Sequence, residues 1–227
     1  MTGNTWTHAD FFCGISGFSQ AARLTGRIFT QVGLNHSPFA AKSFRSNHPR
    51  AVMLEEDVYN YRKHLNLMPT VDLLTLSPEC TYWGIAQGKW RVSDSAASSR
   101  TQMPLVLDII RDLQPDHVVV ENVKEVVTKD HPETMWKPIT NKMGYTHNSD
   151  DKCPYGQILD AADFGVPQNR LRWFLVLSRK AASTSIVPPM TPHIPAVDII
   201  DWDDEPMTRN LHKKPLTTAQ QYKVEEG

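Results

Sequence analysis

Short apolar runs of strand length alternate with amphipathic stretches of helix length from the start of the chain to about residue 178. Few architectures satisfy this pattern. Strands separated by helices form βαβ units, and such units stack into an α/β fold: a mostly parallel sheet with helices on both faces. The expected strands are 7–12 (THADFF), 28–34 (IFTQVGL), 51–54, 71–76 (VDLLTL), 117–120 and 173–177 (WFLVL), with a strand or hairpin near 144–151. The expected helices are 18–24, 38–46 and 101–113, with a further helical region after residue 120. Pro38 suits the first turn of its helix. In 101–113, Met103, Leu105, Val106, Ile109, Ile110 and Leu113 fall on one side. Residues 77–99 have no apolar period and are rich in Ser, Gly and Lys/Arg, which predicts a long mobile loop.

Composition narrows the function classes. At 227 residues the chain can bury one sizeable core but hardly two full domains. No run approaches the roughly 18 apolar residues of a membrane helix, and the N-terminus lacks a signal-peptide pattern. Cys13, Cys80 and Cys153 are odd in number and widely spaced, so they form neither a disulfide framework nor a metal-ligand motif. The expectation is a reducing, cytoplasmic compartment, no membrane and no metal. A net charge of −1 means that any nucleic-acid surface is local. Residues 1–179 are expected to form the main domain. Residues 180–227, with Pro188, Pro189, Pro192, Pro195, Pro206 and an acidic stretch at 198–205, are expected to be an irregular tail.

Two segments carry chemistry. Asp10-Phe11-Phe12-Cys13-Gly14-Ile15-Ser16-Gly17 follows the first strand and precedes a helix, where a doubly wound sheet takes its cofactor. Alone, such a glycine turn is equally a tight connection. Asn35, past the second strand, sits where ribose hydroxyls are usually held, and Asp57, past the third, can receive an adenine amino group; taken singly, each reads more simply as an ordinary polar loop residue. The second segment, Ser77-Pro78-Glu79-Cys80, puts a thiol just beyond a central strand. Downstream, Val118-Val119-Val120-Glu121-Asn122-Val123 brings a carboxylate to the end of the next strand. Arg170 and Arg172, two residues apart in an extended segment, point the same way.

The ordered set Asp-x-Phe-x-Gly, Pro-x-Cys, Glu-Asn-Val and Gly-Val-Pro-Gln-x-Arg-x-Arg (165–172) resembles the cytosine-C5 DNA methyltransferase family over residues 8 to about 178. The resemblance implies a Rossmann-like, S-adenosylmethionine-dependent methyltransferase fold. It implies Cys80 as nucleophile, Glu121 as the acid at N3 of cytosine, Arg172 at the cytosine carbonyl and Arg170 bracing the cysteine loop and its carboxylate. The implied cofactor, S-adenosylmethionine, would be held by Asp10, Phe12, Gly14, Ser16, Gly17, Asn35, His36, Asp57, Val58 and Pro78. Met103 is either a further contact or plain helix core.

The chemistry needs these groups. C5 of cytosine is a poor nucleophile until a thiolate adds at C6, and an acid at N3 with a guanidinium at the carbonyl offsets charge on the ring. Arg170 is a plausible source of the positive charge that activates the thiol. The implied partner is DNA with its target cytosine flipped out of the stack. Residues 81–99 then read as a closing loop, with Lys89, Arg91 and Arg100 on phosphates and Tyr82, Trp83 or Trp90 filling the vacated space.

Four departures stand out. Ser16 replaces a family glycine, Asn35 an acidic ribose ligand, and Glu79 the proline before the cysteine. The usual target-recognition domain and closing Gly-Asn-x-Val motif are missing from 180–227, where 209–224 resembles at most the start of that region. Some family members are split into two chains near this point, so a second chain carrying target recognition is an expected partner. Two other readings stay open: a silent module binding cofactor, DNA or a partner, and an enzyme acting on single-stranded DNA or a free cytosine nucleotide.

Overall fold

The computed structural model describes residues 5–68, 70–80, 94–129, 132–151, 153–182, 185–189 and 191–200, and within these only the backbone of 94–101, 128–129, 132–135 and 138. Eight strands join in one sheet: β1 (Trp6–Phe11), β2 (Ile28–Asn35), β3 (Val52–Glu55), β4 (Leu73–Leu76), β5 (His117–Val123), β6 (Thr146–His147), β7 (Gln157–Asp160) and β8 (Leu171–Ser178). Their order is β3-β2-β1-β4-β5-β8-β6, with β7 also on β8. The pairs from β3 to β5 are parallel. Every pair made by β8 is antiparallel.

The helices are α1 (Gly17–Leu24), α2 (Pro38–Asn47), α3 (Asp94–Leu113), α4 (Glu125–Lys129) and α5 (Pro132–Met143). Helix α3 starts earlier than its apolar period, so the loop expected over 77–99 is helical in its last part. Asp94–Arg100 carry no apolar period in the sequence, so this extension had no sequence signal. A 3-10 segment over Val58–Leu67, capped by the Asp57 carboxylate on the Tyr59 N–H, had no sequence signal.

The apolar stripe of α3 does what its spacing predicts. Met103, Leu105, Val106, Ile109 and Ile110 are buried against Leu74, Leu76, Val118 and Val120 of the sheet. Each such side chain contributes about 1.5–3 kcal/mol relative to exposure. Helix α2 starts at Ser37, whose hydroxyl accepts from Ala40 N, with Pro38 at its first position.

Polar residues break the apolar pattern of β1. His8 and Asp10 are 1% and 0% exposed. Thr75 Oγ1 donates to Asp10 Oδ1 (2.8 Å), so it accepts from His8 Nε2 (2.9 Å), and His8 Nδ1 in turn accepts from Thr30 Oγ1 (2.9 Å). This network assigns the neutral Nε2–H tautomer to His8. Asp10 Oδ2 takes the Ser19 backbone N–H (3.1 Å) and hydroxyl (2.6 Å), so a strand carboxylate caps α1. Burial pushes the Asp10 carboxyl up to about 6, and burial with His48 nearby brings His8 down to about 4.

The chain divides into two units, 1–194 and 195–227. Beyond Arg179 the first unit continues: Gln157 Oε1 accepts from Ile186 N (2.6 Å), and His193 contacts Asp163 (2.8 Å). In the second unit, described over 195–200, a 3-10 turn (Ala196–Ile199) follows Pro195. Among the described residues no helix is long and apolar enough to cross a membrane, and no three His, Cys, Asp or Glu gather as metal ligands.

Two stability predictions follow from this packing. A Cβ on Gly33 would lie 2.4 Å from the Phe44 ring, itself 0% exposed, so Gly33→Ala should lower the unfolding free energy by about 2 kcal/mol in urea denaturation. His8 is held neutral in the fold and gains a proton on unfolding, so its stabilisation is present above pH 6.5 and is lost as pH falls toward 4. Between pH 6.5 and 5, His8→Gln should therefore lose about 1–2 kcal/mol less stability than the parent chain.

Candidate active site

The carboxyl ends of the parallel strands form one rim, and the expected site residues meet there in two groups. The first group surrounds the turn after β1. Phe12 (φ 58), Gly14 (φ 50) and Ser16 (φ 74) alternate in the left-handed region. Glycine adopts this freely, whereas Phe12 and Ser16 each cost about 1–3 kcal/mol. The turn is held by Cys13 N on Leu34 O (3.2 Å), Ser16 N on Cys13 O (2.7 Å) and the Asp10–Ser19 clamp.

Beside this turn lies a cavity of about 360 Å3 lined by Phe12, Leu34, Asn35, His36, Asp57, Val58, Tyr59, Ser77, Glu79 and Gln102. Asn35 Oδ1 accepts from Ser37 N (2.9 Å), a local turn that orients the amide, and Nδ2 has no partner among the described residues. Asp57 spends one oxygen on Tyr59 N (3.0 Å), and its other oxygen has no partner among the described residues. Aromatic and aliphatic walls beside an amide and a carboxylate match a nucleoside, which needs an apolar slot for the base and polar groups for the sugar.

The second group centres on the cysteine segment. Strands β4 and β5 are parallel neighbours with Leu76 opposite Val120, so Cys80 follows β4, and Glu121 lies among the last paired residues of β5, at the same end of the sheet. Asn122 Nδ2 donates to Pro78 O (3.3 Å), tying the two strand ends together. Cys80 is exposed, whereas Cys13 and Cys153 are buried, and burial pushes both of those thiols up, out of the reactive range.

Because β8 runs antiparallel to β5, its first residues lie beside the last of β5, with Arg172 opposite Val123. Glu121 shares a face with Val123, and Arg172 Nε donates to Glu121 Oε1 at 3.1 Å. Both side chains are 23% exposed. Burial raises the Glu121 carboxyl above its ordinary value, while Arg172 and Arg170 pull it down. Glu121, Arg170 and Arg172 line a second recess of about 400 Å3, walled by Phe164 and Phe174.

Other expected residues lie elsewhere. Asp10 is sealed beneath the turn, and its carboxylate is used up by Ser19 and Thr75. Ser16 is 1% exposed; like Gly14 and Gly17, it shapes the turn without lining the cavity. Pro78 is buried and contributes its carbonyl to Asn122. Met103 is core, 1% exposed, and its neighbour Gln102 lines the cavity instead. Tyr82, Trp83, Lys89, Trp90, Arg91 and the side chain of Arg100 lie outside the described residues, as do 201–227. Gln102, Tyr59 and Ser77 were not expected from sequence. Gln102 carried only a weak signal, a polar residue inside an apolar helix stripe.

A further cavity, about 350 Å3, opens at the opposite rim among Arg23, Thr30, His48 and Arg50, away from Cys80 and Glu121.

Comparison with known proteins identifies relatives of the chain. Type II methyltransferase M1.HgaI of Avibacterium volantium is 30% identical over 138 residues, 59% of this chain and 38% of that protein. Type II methyltransferase M.AquIA of Picosynechococcus is 24% identical over 177 residues, 74% of this chain and 70% of that protein. The chain thus spans less than half the length of M1.HgaI. Among solved structures, the Entamoeba histolytica methyltransferase EhMeth superposes with a TM-score of 0.62 at 18% identity, over 85% of this chain and 58% of that one, a likeness of fold. The sequence profile of the C-5 cytosine-specific DNA methylases matches residues 6–225, and the chain belongs to that family.

Proposed function

We propose that this chain transfers a methyl group to C5 of cytosine in DNA, with Cys80 as the nucleophile. The observation that carries this reading is the meeting of Glu121 and Arg172 at 3.1 Å, at the same sheet rim as the exposed Cys80 and beside a nucleoside-like cavity. That cavity is the proposed site for S-adenosylmethionine. Phe12 and Val58 would flank the adenine, Asp57 would accept from its amino group, and Asn35 Nδ2 would hold a ribose hydroxyl. An amide gives a weaker hold than a charged ligand, so modest affinity is expected. When bound, S-adenosylmethionine supplies the electrophilic methyl group that C5 attacks.

The residues act on the base as follows. Cys80, as thiolate, adds to C6 and moves electron density to C5; after methyl transfer a base takes the C5 proton and the Cys80–C6 bond breaks, which restores the ring and the thiolate. Glu121 hydrogen-bonds N3, and its protonated form is favoured by burial, the direction in which its carboxyl is shifted. Arg172 reaches from Glu121 toward the carbonyl oxygen and offsets negative charge there. Arg170 adds positive charge at the same recess and limits how far Glu121 rises. A stacked base cannot reach these groups, so the target is a flipped cytosine. Sequence choice is proposed to reside in a second chain or in further sequence, in line with the greater length of relatives such as M1.HgaI.

Two experiments test the reading. Incubation with DNA containing 5-fluorocytosine and S-adenosylmethionine, with and without neighbouring gene products, should give a covalent protein–DNA adduct that is absent in Cys80→Ser. A persistent adduct in that variant would remove Cys80 from its role. Glu121→Gln should lower kcat by about 10²–10³-fold with little change in the KM for S-adenosylmethionine, because the acid touches the base and not the donor. An unchanged kcat would place the acid elsewhere.

A further inference from the structure

The cysteine segment is tied down at successive points. Ser77 N donates to Phe11 O (3.3 Å) and Ser77 Oγ to Phe12 O (3.2 Å), Pro78 O accepts from Asn122, and Glu79 N donates to Gln102 Oε1 (2.8 Å). The last contact is the shortest and the nearest to Cys80. It exists because residue 79 has a backbone N–H, which a proline lacks.

Gln102 is unusual for its place. It lies in α3 beside the core residue Met103 and is 6% exposed. It also lines the cavity that holds Phe12, Asn35 and Asp57. Its Oε1 is taken by the Glu79 N–H, and its Nε2 has no partner among the described residues. An amide with one end bonded at a cavity wall leaves its other end to hydrogen-bond whatever fills the cavity.

We infer that Gln102 is a positioning residue that couples the cavity to the nucleophile. Its Oε1 fixes the backbone one residue before Cys80, and its Nε2 donates to an acceptor group of the cavity's occupant. Filling the cavity then orders the amide, and the amide orders the thiol. This inference rests on the cavity being the S-adenosylmethionine site proposed above.

The test uses the full chain and S-adenosylhomocysteine, and it needs neither DNA nor turnover. Because Cys13 and Cys153 are buried, alkylation by iodoacetamide reports on Cys80, and Cys80→Ser supplies the background. In the parent chain, saturating S-adenosylhomocysteine should change the Cys80 alkylation rate by about fivefold or more, the effect of roughly one hydrogen bond. Gln102→Met keeps the length and apolar packing but loses both polar ends. Its Cys80 rate should differ from the parent's without ligand and should no longer respond to ligand. Its affinity for S-adenosylhomocysteine, measured by calorimetry, should fall about tenfold. Gln102→Glu keeps an acceptor for the Glu79 N–H, so its ligand-free rate should return to the parent's while its affinity stays reduced. This partial rescue would not be seen if Gln102 only filled space. A Met variant whose alkylation responds to ligand as the parent's does overturns the coupling; if that variant does not fold, a Glu variant with parental affinity overturns it. Failure of the parent chain to bind S-adenosylhomocysteine overturns the cofactor reading and the coupling together, a result distinct from binding without coupling.

Discussion

A single buried carboxylate underlies the organisation of the rim. Asp10 closes β1, accepts from Ser19 in the first turn of α1 and from Thr75 of β4, and so fixes three elements at one point. The turn between them contains two non-glycine residues in the left-handed region, Phe12 and Ser16, and that strain persists only where the surroundings over-determine it. Three hydrogen bonds to one carboxylate supply that determination. They also offset part of the burial cost that pushes the Asp10 carboxyl upward. Asp10 therefore shapes the cavity without entering it.

The reactive groups depend on a different constraint, the direction of β8. Residues that precede a parallel strand lie at the amino rim, away from Cys80. Since β8 is antiparallel, Arg170 and Arg172 enter the sheet at the carboxyl rim, and Arg172 meets Glu121 diagonally across the β5–β8 ladder. The ladder is seven pairs long, so the register of this contact is fixed by the whole strand and not by the ion pair. The pair itself is only partly exposed, and its two effects on Glu121 oppose one another. Burial favours the acid and the arginines favour the carboxylate, with burial the larger effect.

Much of the site was legible from residue order. Phe12, Asn35, His36, Asp57 and Val58 fall at strand ends, where a doubly wound sheet leaves its ligand crevice, and they line one cavity. Legibility failed where a motif residue acts by shaping the backbone. Asp10, Ser16 and Pro78 belong to the right segments yet point inward, because strand alternation gives parity along a strand but not which parity faces a ligand past its end. Sequence left Met103 open between a cofactor contact and plain helix core and did not single out Gln102, for a similar reason. The helix period marks a stripe, and a residue at the stripe's edge can close the core or border a cavity.

The sequence by itself determined the alternation of strands and helices, the apolar stripe of α3, the family and the set of candidate reactive side chains, since these rest on local period and on motif order. Tertiary structure alone decided the reversal of β8, the buried His8–Thr75–Asp10–Ser19 chain and the link from Gln102 to the residue before Cys80. Strand direction is set by the path of the connection and not by the strand's own residues. The contacts in these two polar links span 9 to 67 positions, which only folding brings within hydrogen-bond reach.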